Sequence, residues 1–303
     1  ERVMKELGLN ETEWLLGQGT IYPDTIESGG TKNADKIKTH HNRVDRVTEM
    51  IKKGLVIEPL KELYKDEVRA IGRLLGLPDS LVDRHPFPGP GLAIRCLCSN
   101  GTIETPTVIA SEAKQSAWTL SSQAPRDDRC NIMRLPVKSV GVQGDERSYA
   151  HPAVLLGGLR DWKILHTLSP TITNAHKDIN RVLITLYGDE TKFAQSTMSD
   201  KRLTKERLDL LRKLDALINK IVNSDRGAKH IWQMPIVLVP FGYDLGESIV
   251  IRPVESEEAM TVKFAELPHE VIHKLQLAFC HLSLVDFVFY DITNKPPGTI
   301  EWE

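Results

Sequence analysis

The stretch His85-Pro86-Phe87-Pro88-Gly89-Pro90-Gly91-Leu92-Ala93-Ile94-Arg95 divides the chain. Five of the six residues from Pro86 to Gly91 are proline or glycine. A proline ring fixes φ and removes the backbone donor, so neither a helix nor a central strand runs through here. Each residue before a proline is held extended, and the glycines let the backbone turn or approach a neighbour closely. Two readings fit. One is a rigid linker. The other is a stiff hinge whose polar ends, His85 and Arg95, are presented to a ligand. The flanking sequence decides between them.

Upstream, residues 1–9 read as the end of a helix, with Val3, Met4 and Leu7 on one face and Gly8 as the stop. Trp14-Leu15-Leu16 runs into Gly17-Gln18-Gly19-Thr20. This is the pattern of a buried strand that delivers a glycine turn to the carboxyl edge of a parallel sheet. It is not a P-loop, since no G-K-[ST] follows. Pro23-Asp24 then opens a turn, and Asp24 and Glu27 share one face of any helix that follows. Two carboxylates placed there either hold a magnesium ion through oxygen or simply favour a helix N-terminus.

Residues 28–57, of which 43–54 are charged and poor in aromatics, read either as a lid or as a solvated surface loop. Within them Lys36-Ile37-Lys38-Thr39-His40-His41-Asn42 ends a basic stretch with two histidines and an asparagine, side chains suited to clamping phosphates. Leu60, Leu63, Tyr64, Val68, Ile71, Leu74 and Leu75 recur at helical spacing and predict a helix over 58–76, stopped by Gly76 and Pro78. Its other face carries Lys61, Lys65, Asp66, Arg69 and Arg73. Asp79 then caps a short helix to Arg84.

Downstream, residues 97–131 lack periodicity and predict a flexible, poorly packed insertion. Strands follow at 135–142 and from 147, then a helix over 161–178 broken near Pro170, and a strand at 181–187. A long amphipathic helix covers 200–222. Beyond it come strands at 234–240 and 248–253, a helix at 268–281 and a strand at 285–291. The two runs read as two copies of one β-β-α-β unit, an offset of about a hundred residues that is too long for a solenoid. The predicted fold is therefore α/β, an incomplete parallel-sheet domain followed by a duplicated α+β domain. The expected segments are 1–84, the hinge 85–95, the insertion 96–131, a first α+β unit 132–199, a connecting helix 200–230 and a second unit 231–303. Paired copies within one chain can mimic a homodimer interface, so a monomer and a homodimer are both expected states.

Composition limits the function classes. The 303 residues are 41% hydrophobic and 26% charged with a net charge of −2, ordinary for two globular domains. That charge argues against a nucleic-acid binder, and no apolar run reaches the ~18 residues a membrane helix requires. No signal-peptide pattern is present, and the start at Glu1 predicts the cut end of a longer protein. Cys96, Cys98, Cys130 and Cys280 are too scattered for a disulfide framework, and no histidine stands at zinc spacing from them. A reducing cytoplasm is the simpler setting. The final residues, Asn294-Lys295-Pro296-Pro297-Gly298-Thr299-Ile300-Glu301-Trp302-Glu303, carry a second rigid turn. They read either as a polar terminus or as a ligand loop, with Lys295 for a phosphate and Glu301 for a ribose or base edge.

Several pieces together are more specific than any one. Gly17 to Ser28, Ile37 to Asn42, Glu58-Pro59-Leu60-Lys61-Glu62-Leu63, His85 to Arg95, Ser139-Val140-Gly141-Val142-Gln143-Gly144-Asp145 and Lys295 to Glu303 resemble the GMP synthase family, in the same order. The resemblance covers nearly everything except 97–131, and the doubled second half is similar to the longer, eukaryote-like form.

The resemblance implies a reaction. Mg-ATP adenylates the C2 oxygen of xanthosine monophosphate (XMP), and ammonia from a glutaminase domain displaces AMP to give GMP. It places Asp24 and Glu27 at the ATP and Mg2+ end, and Lys38, His40 and His41 on a lid over the reacting groups. Lys65, Asp66 and Arg69 match a helix of the same site, and Asp145, Gln233, Lys295 and Glu301 match XMP contacts. Charge and position add Arg95 as a further XMP contact. The family's glutaminase domain and its Ser-Gly-Gly-rich pyrophosphate loop have no counterpart here. Ser28-Gly29-Gly30 follows the Asp24 turn and is not that loop. The chain is thus expected to be the distal part of the synthetase domain plus the C-terminal domain. Its expected partners are a glutaminase domain or subunit and an N-terminal synthetase portion, and alone it is expected to be inactive. The alternative is a truncated, non-catalytic nucleotide-binding or oligomerisation module.

Overall fold

The computed structural model describes residues 6–8, 14–27, 45–82, 91–101, 104–109, 131–143, 146–158, 161–228, 230–256 and 261–303. Lys38, His40, His41, Asp145, most of the hinge and most of 97–131 lie outside these residues, as does the side chain of Glu27. The chain divides into two compact units, 1–84 and 85–303.

The first unit contains β1 (Leu16–Gly17), α1 (Tyr22–Glu27), α2 (Asp45–Lys52), β2 (Val56–Ile57), α3 (Lys65–Leu74) and α4 (Asp79–Val82). β1 and β2 pair in parallel, Leu16 opposite Val56. The turn after β1 is closed by buried Thr20, whose hydroxyl donates to Glu58 Oε1 at 2.6 Å. The Trp14-Leu15-Leu16 strand, expected to be buried, is instead exposed, with Trp14 and Leu15 each at 54%. No layer among the described residues of this unit covers it.

The helix expected from residue 58 begins only at Lys65. Residues 58–64 are instead folded into turns, with Lys61 N–H donating to Glu58 O, Leu63 N–H to Leu60 O and Tyr22 N–H to Leu63 O. Glu67 Oε2 accepts from Tyr64 N–H at 2.8 Å and fixes the helix start. Tyr22 and Tyr64 meet edge to face across this turn.

The second unit runs β3 (Thr107–Val108), β4 (Ile132–Arg134), β5 (Ser139–Gln143), β6 (Glu146–Leu155), α5 (Trp162–Ala175), β7 (Ile179–Tyr187), β8 (Thr197–Met198) and α6 (Lys205–Asn223). It continues β9 (Ile236–Val239), β10 (Phe241–Gly242), β11 (Ser248–Ile251), β12 (Val254–Glu255), β13 (Lys263–Phe264), α7 (His269–Leu282) and β14 (Phe287–Asp291). The main sheet is eight-stranded and mixed, in the order β3-β4-β6-β7-β14-β11-β9, with β5 hydrogen-bonded to β6 off this path. β4–β6 is antiparallel and β6–β7 parallel; β9–β11 is antiparallel and β11–β14 parallel; β7 and β14 meet antiparallel at the centre.

Period-two alternation divides the core. Ile236, Leu238, Val288 and Tyr290 face the layer that holds Leu165, Leu168 and Ile172 of α5, Leu211, Leu214 and Ile218 of α6, and Leu275 and Phe279 of α7. Val237, Val239, Phe287 and Phe289 face the other way, into a cluster with Phe193, Phe241 and Trp302. Two local expectations change. α5 runs through Pro170 without a break, because its buried face, including Leu168 and Ile172, holds it on the sheet despite the missing N–H. Cys96 and Leu97 are buried rather than loose, and Leu97 N–H donates to Leu238 O at the sheet edge.

Leu214 is fully buried at the centre of α6. Leu214→Ala is expected to lower unfolding stability by about 2–5 kcal/mol, read from the midpoint of a urea transition followed by far-UV circular dichroism.

Candidate functional site

The site is built on a carboxylate at the end of β14. Antiparallel pairing sets Asp291 opposite Leu183 of β7, two residues from Arg181. Parallel pairing sets Ile251 of β11 opposite Tyr290, so Arg252 follows directly beside Asp291. All three charged side chains are fully buried. Arg181 Nη1 lies 3.0 Å from Asp291 Oδ2, and Arg252 Nη1 lies 2.9 Å from Asp291 Oδ1. Trp302 Nε1–H also donates to Asp291 Oδ2 at 3.2 Å, beneath an Arg181 guanidinium 5.0 Å from its ring.

Burial pulls the Arg181 guanidinium down, Arg252 adds to that pull and Asp291 opposes it, leaving its pKa at about 9, so it stays charged at neutral pH. Burial alone would push the Asp291 carboxyl up, but Arg252 and Arg181, with Thr293, hold it below the usual carboxylate range.

The arginines turn further donors on the chain terminus and the backbone beside it. Arg181 Nη2 donates to Val140 O, Thr299 Oγ1 and Glu301 O at 2.9–3.0 Å. Arg252 Nε donates to Ile300 O at 3.1 Å and Nη1 to Thr293 O at 3.0 Å. β5 completes the hold, with Val140 N–H donating to Trp302 O and Val142 N–H to Pro297 O, at 2.8 and 2.7 Å. Gly141 bridges Gly298, and a Cβ on Gly141 would lie 2.8 Å from both Pro297 O and Asn180 Nδ2, so only glycine fits. On the other side Lys295 pairs with Val262 through both backbone groups. The Lys295–Pro296 and Pro296–Pro297 peptide bonds are cis. The last residues are therefore a fixed loop rather than a loose polar end.

Three of the sequence-predicted residues meet on this loop. Arg95 closes a 3-10 turn, Gly91–Arg95, that opens at Gly91 with φ of +72°. Its fork grips Glu301, Nε to Oε2 at 2.9 Å and Nη2 to Oε1 at 2.6 Å. Gln233 Nε2 adds a third bond to Glu301 Oε1 at 3.2 Å. Lys295 stands six residues before Glu301, and burial, then Arg252, lowers its pKa. Asp145 lies outside the described residues, beyond the end of β5.

The residues predicted for the ATP end belong to the first unit. Asp24 Oδ2 accepts from Ile21 N–H at 3.0 Å, at the start of α1. Lys65, Asp66 and Arg69 occupy the first turns of α3, where burial, then Arg69, lowers the Lys65 pKa. Among the described residues no group of three His, Cys, Asp or Glu side chains is placed to hold a metal ion, and no helix is long and apolar enough to cross a membrane.

Sequence reasoning missed Arg181, Arg252 and Asp291. Their signal was a charged residue beside an apolar run, in Asn180-Arg181-Val182, Ile251-Arg252-Pro253 and Tyr290-Asp291-Ile292. Such residues are almost never fully buried unless paired.

Comparison with known proteins gives the chain its relatives. Residues 219–302 match the family described as the GMP synthase C terminal domain. The whole chain is 44% identical to a protein named "Probable GMP synthase [glutamine-hydrolyzing]" from Leptospira interrogans, of which it covers 49%. It is 34% identical to the similarly named protein of Caenorhabditis elegans over 99% of its own length and 50% of that protein. It is also 32% identical to the GMP synthase [glutamine-hydrolyzing] of Dictyostelium discoideum, of which it covers 48%. The chain spans about half the length of the curated relatives it matches.

Asp291→Asn leaves two buried guanidiniums without their counter-charge and is expected to cost about 3–5 kcal/mol of stability near neutral pH. The folded carboxyl has a depressed pKa, so its contribution is present above the unfolded pKa and is lost as pH falls through the folded one. Urea titrations across pH should therefore show a steady gap between wild type and variant down to the ordinary carboxylate range. The gap should close only in stronger acid.

Proposed function

We propose, from the premise that this chain is related along its whole length to the glutamine-hydrolysing GMP synthases and carries their C-terminal domain, that it is the XMP-holding and lid-bearing portion of an enzyme that aminates XMP to GMP. The observation that carries this reading is the fixed Lys295–Glu301 loop, with Glu301 gripped by Arg95 and Gln233. A cation and an oriented carboxylate on one rigid loop suit a nucleotide with a phosphate at one end and a base with N–H donors at the other. On this reading Lys295 meets the phosphate, Gln233 and Glu301 the nucleoside, and Asp145, which follows β5 in sequence, joins them.

The activation chemistry belongs to the first unit. The C2 oxygen of XMP is a poor leaving group until ATP adenylates it, and ammonia then displaces AMP. Lys38, His40 and His41 are assigned to a lid that neutralises the departing pyrophosphate and keeps water from hydrolysing the intermediate. Lys65, Asp66 and Arg69 are assigned to the ATP side. Magnesium at Asp24 and Glu27 would supply further charge neutralisation there. The exposed apolar face of Trp14, Leu15 and Leu16 fits a covering layer from an N-terminal synthetase portion, with ammonia from a glutaminase domain. A cytoplasmic setting suits those substrates. The matched strand order of β4-β6-β7 and β9-β11-β14 supports reading the second unit as one β-β-α-β motif used twice.

Isothermal titration with XMP tests the site. The 303-residue chain is expected to bind, and Lys295→Ala to weaken binding about tenfold or more, as loss of a charge-assisted bond of ~1.5–3 kcal/mol implies. Absence of binding by the folded chain would overturn the reading. Given ATP, XMP and ammonia, the chain alone is expected to form no GMP, and product detected by chromatography would contradict its assignment as a portion of the enzyme.

A further inference from the structure

We propose that Arg95 is a positioning residue for substrate selection: it does not touch the nucleotide but fixes the Glu301 carboxylate so that one oxygen faces a ring N–H of the purine. The proposal rests on the nucleotide reading of the Lys295–Glu301 loop and adds the residue that makes the loop selective.

The geometry carries it. Arg95 is only 3% exposed, and its Nε and Nη2 are both committed to Glu301. A guanidinium so enclosed and so engaged acts through its partner. Glu301 is the more accessible of the two, with 19% of its side chain exposed against 4% for Arg95. An ionised carboxylate offers roughly four acceptor positions. Among the described residues Arg95 takes one on each oxygen and Gln233 a second on Oε1, which leaves an acceptor position on Oε2. A two-point fork also fixes the plane of the carboxylate, which a lysine ammonium, a point charge, does not do.

Arg95 is itself held. Cys96 bridges Leu238 of β9 and Leu97 N–H donates to Leu238 O, so the sheet edge sets where the guanidinium stands. Asp215 of α6 is a second carboxylate within its electrostatic reach. Burial pushes the Asp215 carboxyl up and Arg95 draws it down. The two partners of the fork are 206 residues apart in sequence.

A fixed carboxylate discriminates by the donors a base presents. Xanthine in its neutral form carries an N3–H beside its 2-oxo group, a proton that a facing carboxylate keeps in place, and hypoxanthine has neither. A site built to accept an N–H rejects the analogue that lacks it, because the acceptor is left unpaired.

The test is the ratio of affinities for XMP and inosine monophosphate, measured by isothermal titration on the full chain and on Arg95→Gln, Arg95→Lys, Glu301→Gln and the Arg95→Gln/Glu301→Gln double variant. Far-UV circular dichroism and urea midpoints identify the folded variants. Wild type should prefer XMP. Arg95→Gln should weaken XMP binding about tenfold, or ~1.4 kcal/mol, and leave inosine monophosphate binding nearly unchanged. Arg95→Lys should restore part of the preference. Glu301→Gln should lose the preference as well, and the double variant should lose no more than either single one. Equal weakening of both nucleotides, an unchanged ratio in folded Arg95→Gln, or additive losses in the double variant would overturn the positioning role while wild-type XMP binding stands. Failure of wild type to bind XMP would instead remove the nucleotide reading and this proposal with it. Should Arg95→Gln not fold, Arg95→Lys decides: a retained wild-type ratio overturns the proposal and a reduced one supports it.

Discussion

One carboxylate holds together the end of the second unit that carries the candidate site. Asp291 sits at the end of a central strand with a buried guanidinium on each oxygen and an indole N–H on one of them. Two cations on one anion leave the cluster positive, in a place where solvation cannot help. Replacing such a group with apolar residues of similar volume often costs nothing, so stability alone does not account for it. Its geometry offers a better reason. Through Arg181 and Arg252 the carboxylate organises carbonyls of residues 140, 293, 300 and 301 around one point. A hydrophobic plug cannot fix four carbonyls in register. The cluster turns the last residues of the chain, which would otherwise fray, into a surface with defined side-chain directions.

That constraint explains the residue types along the tail. A Cβ on Gly298 would lie 3.1 Å from Arg181 Nη1 and 3.3 Å from Arg252 Nη2, so a larger residue there would press both guanidiniums out of place. Trp302 is fully buried because it closes the aromatic cluster and donates to Asp291 at once. Lys295 and Glu301, between and beside these anchors, are less enclosed. The pattern of anchors and accessible charges follows the arginines beneath, and composition could not have shown it.

Legibility in the sequence tracked the range of the interaction. The helices over 205–223 and 269–282 and the strands between them follow from local periodicity, since each buries one face on the sheet. Residues 58–64 misled because Leu60, Leu63 and Tyr64 keep helical spacing while Thr20, far away in sequence, claims Glu58. Pro170 misled in the opposite sense, since packing outweighed a local rule. At the site, Arg95, Gln233 and Glu301 could be nominated singly, but their convergence is a tertiary fact. Arg181, Arg252 and Asp291 went unnoticed because a charge at the edge of an apolar run usually marks a strand end, and only pairing across neighbouring strands reveals three ends meeting.

The two charge systems answer different needs. Arg181, Arg252 and Asp291 are sealed, so solvent and salt scarcely screen them and their hold on the backbone is constant. Arg95 and Glu301 sit one step nearer the surface, with the carboxylate partly open. A pair buried as deeply as the first could not meet a ligand, and a pair fully exposed would gain little and hold no fixed plane. A half-enclosed pair on a loop pinned by a sealed one combines a constant backbone with an accessible, oriented acceptor. From Gly91 the backbone makes one 3-10 turn, and Arg95 at its end comes to rest against the tail.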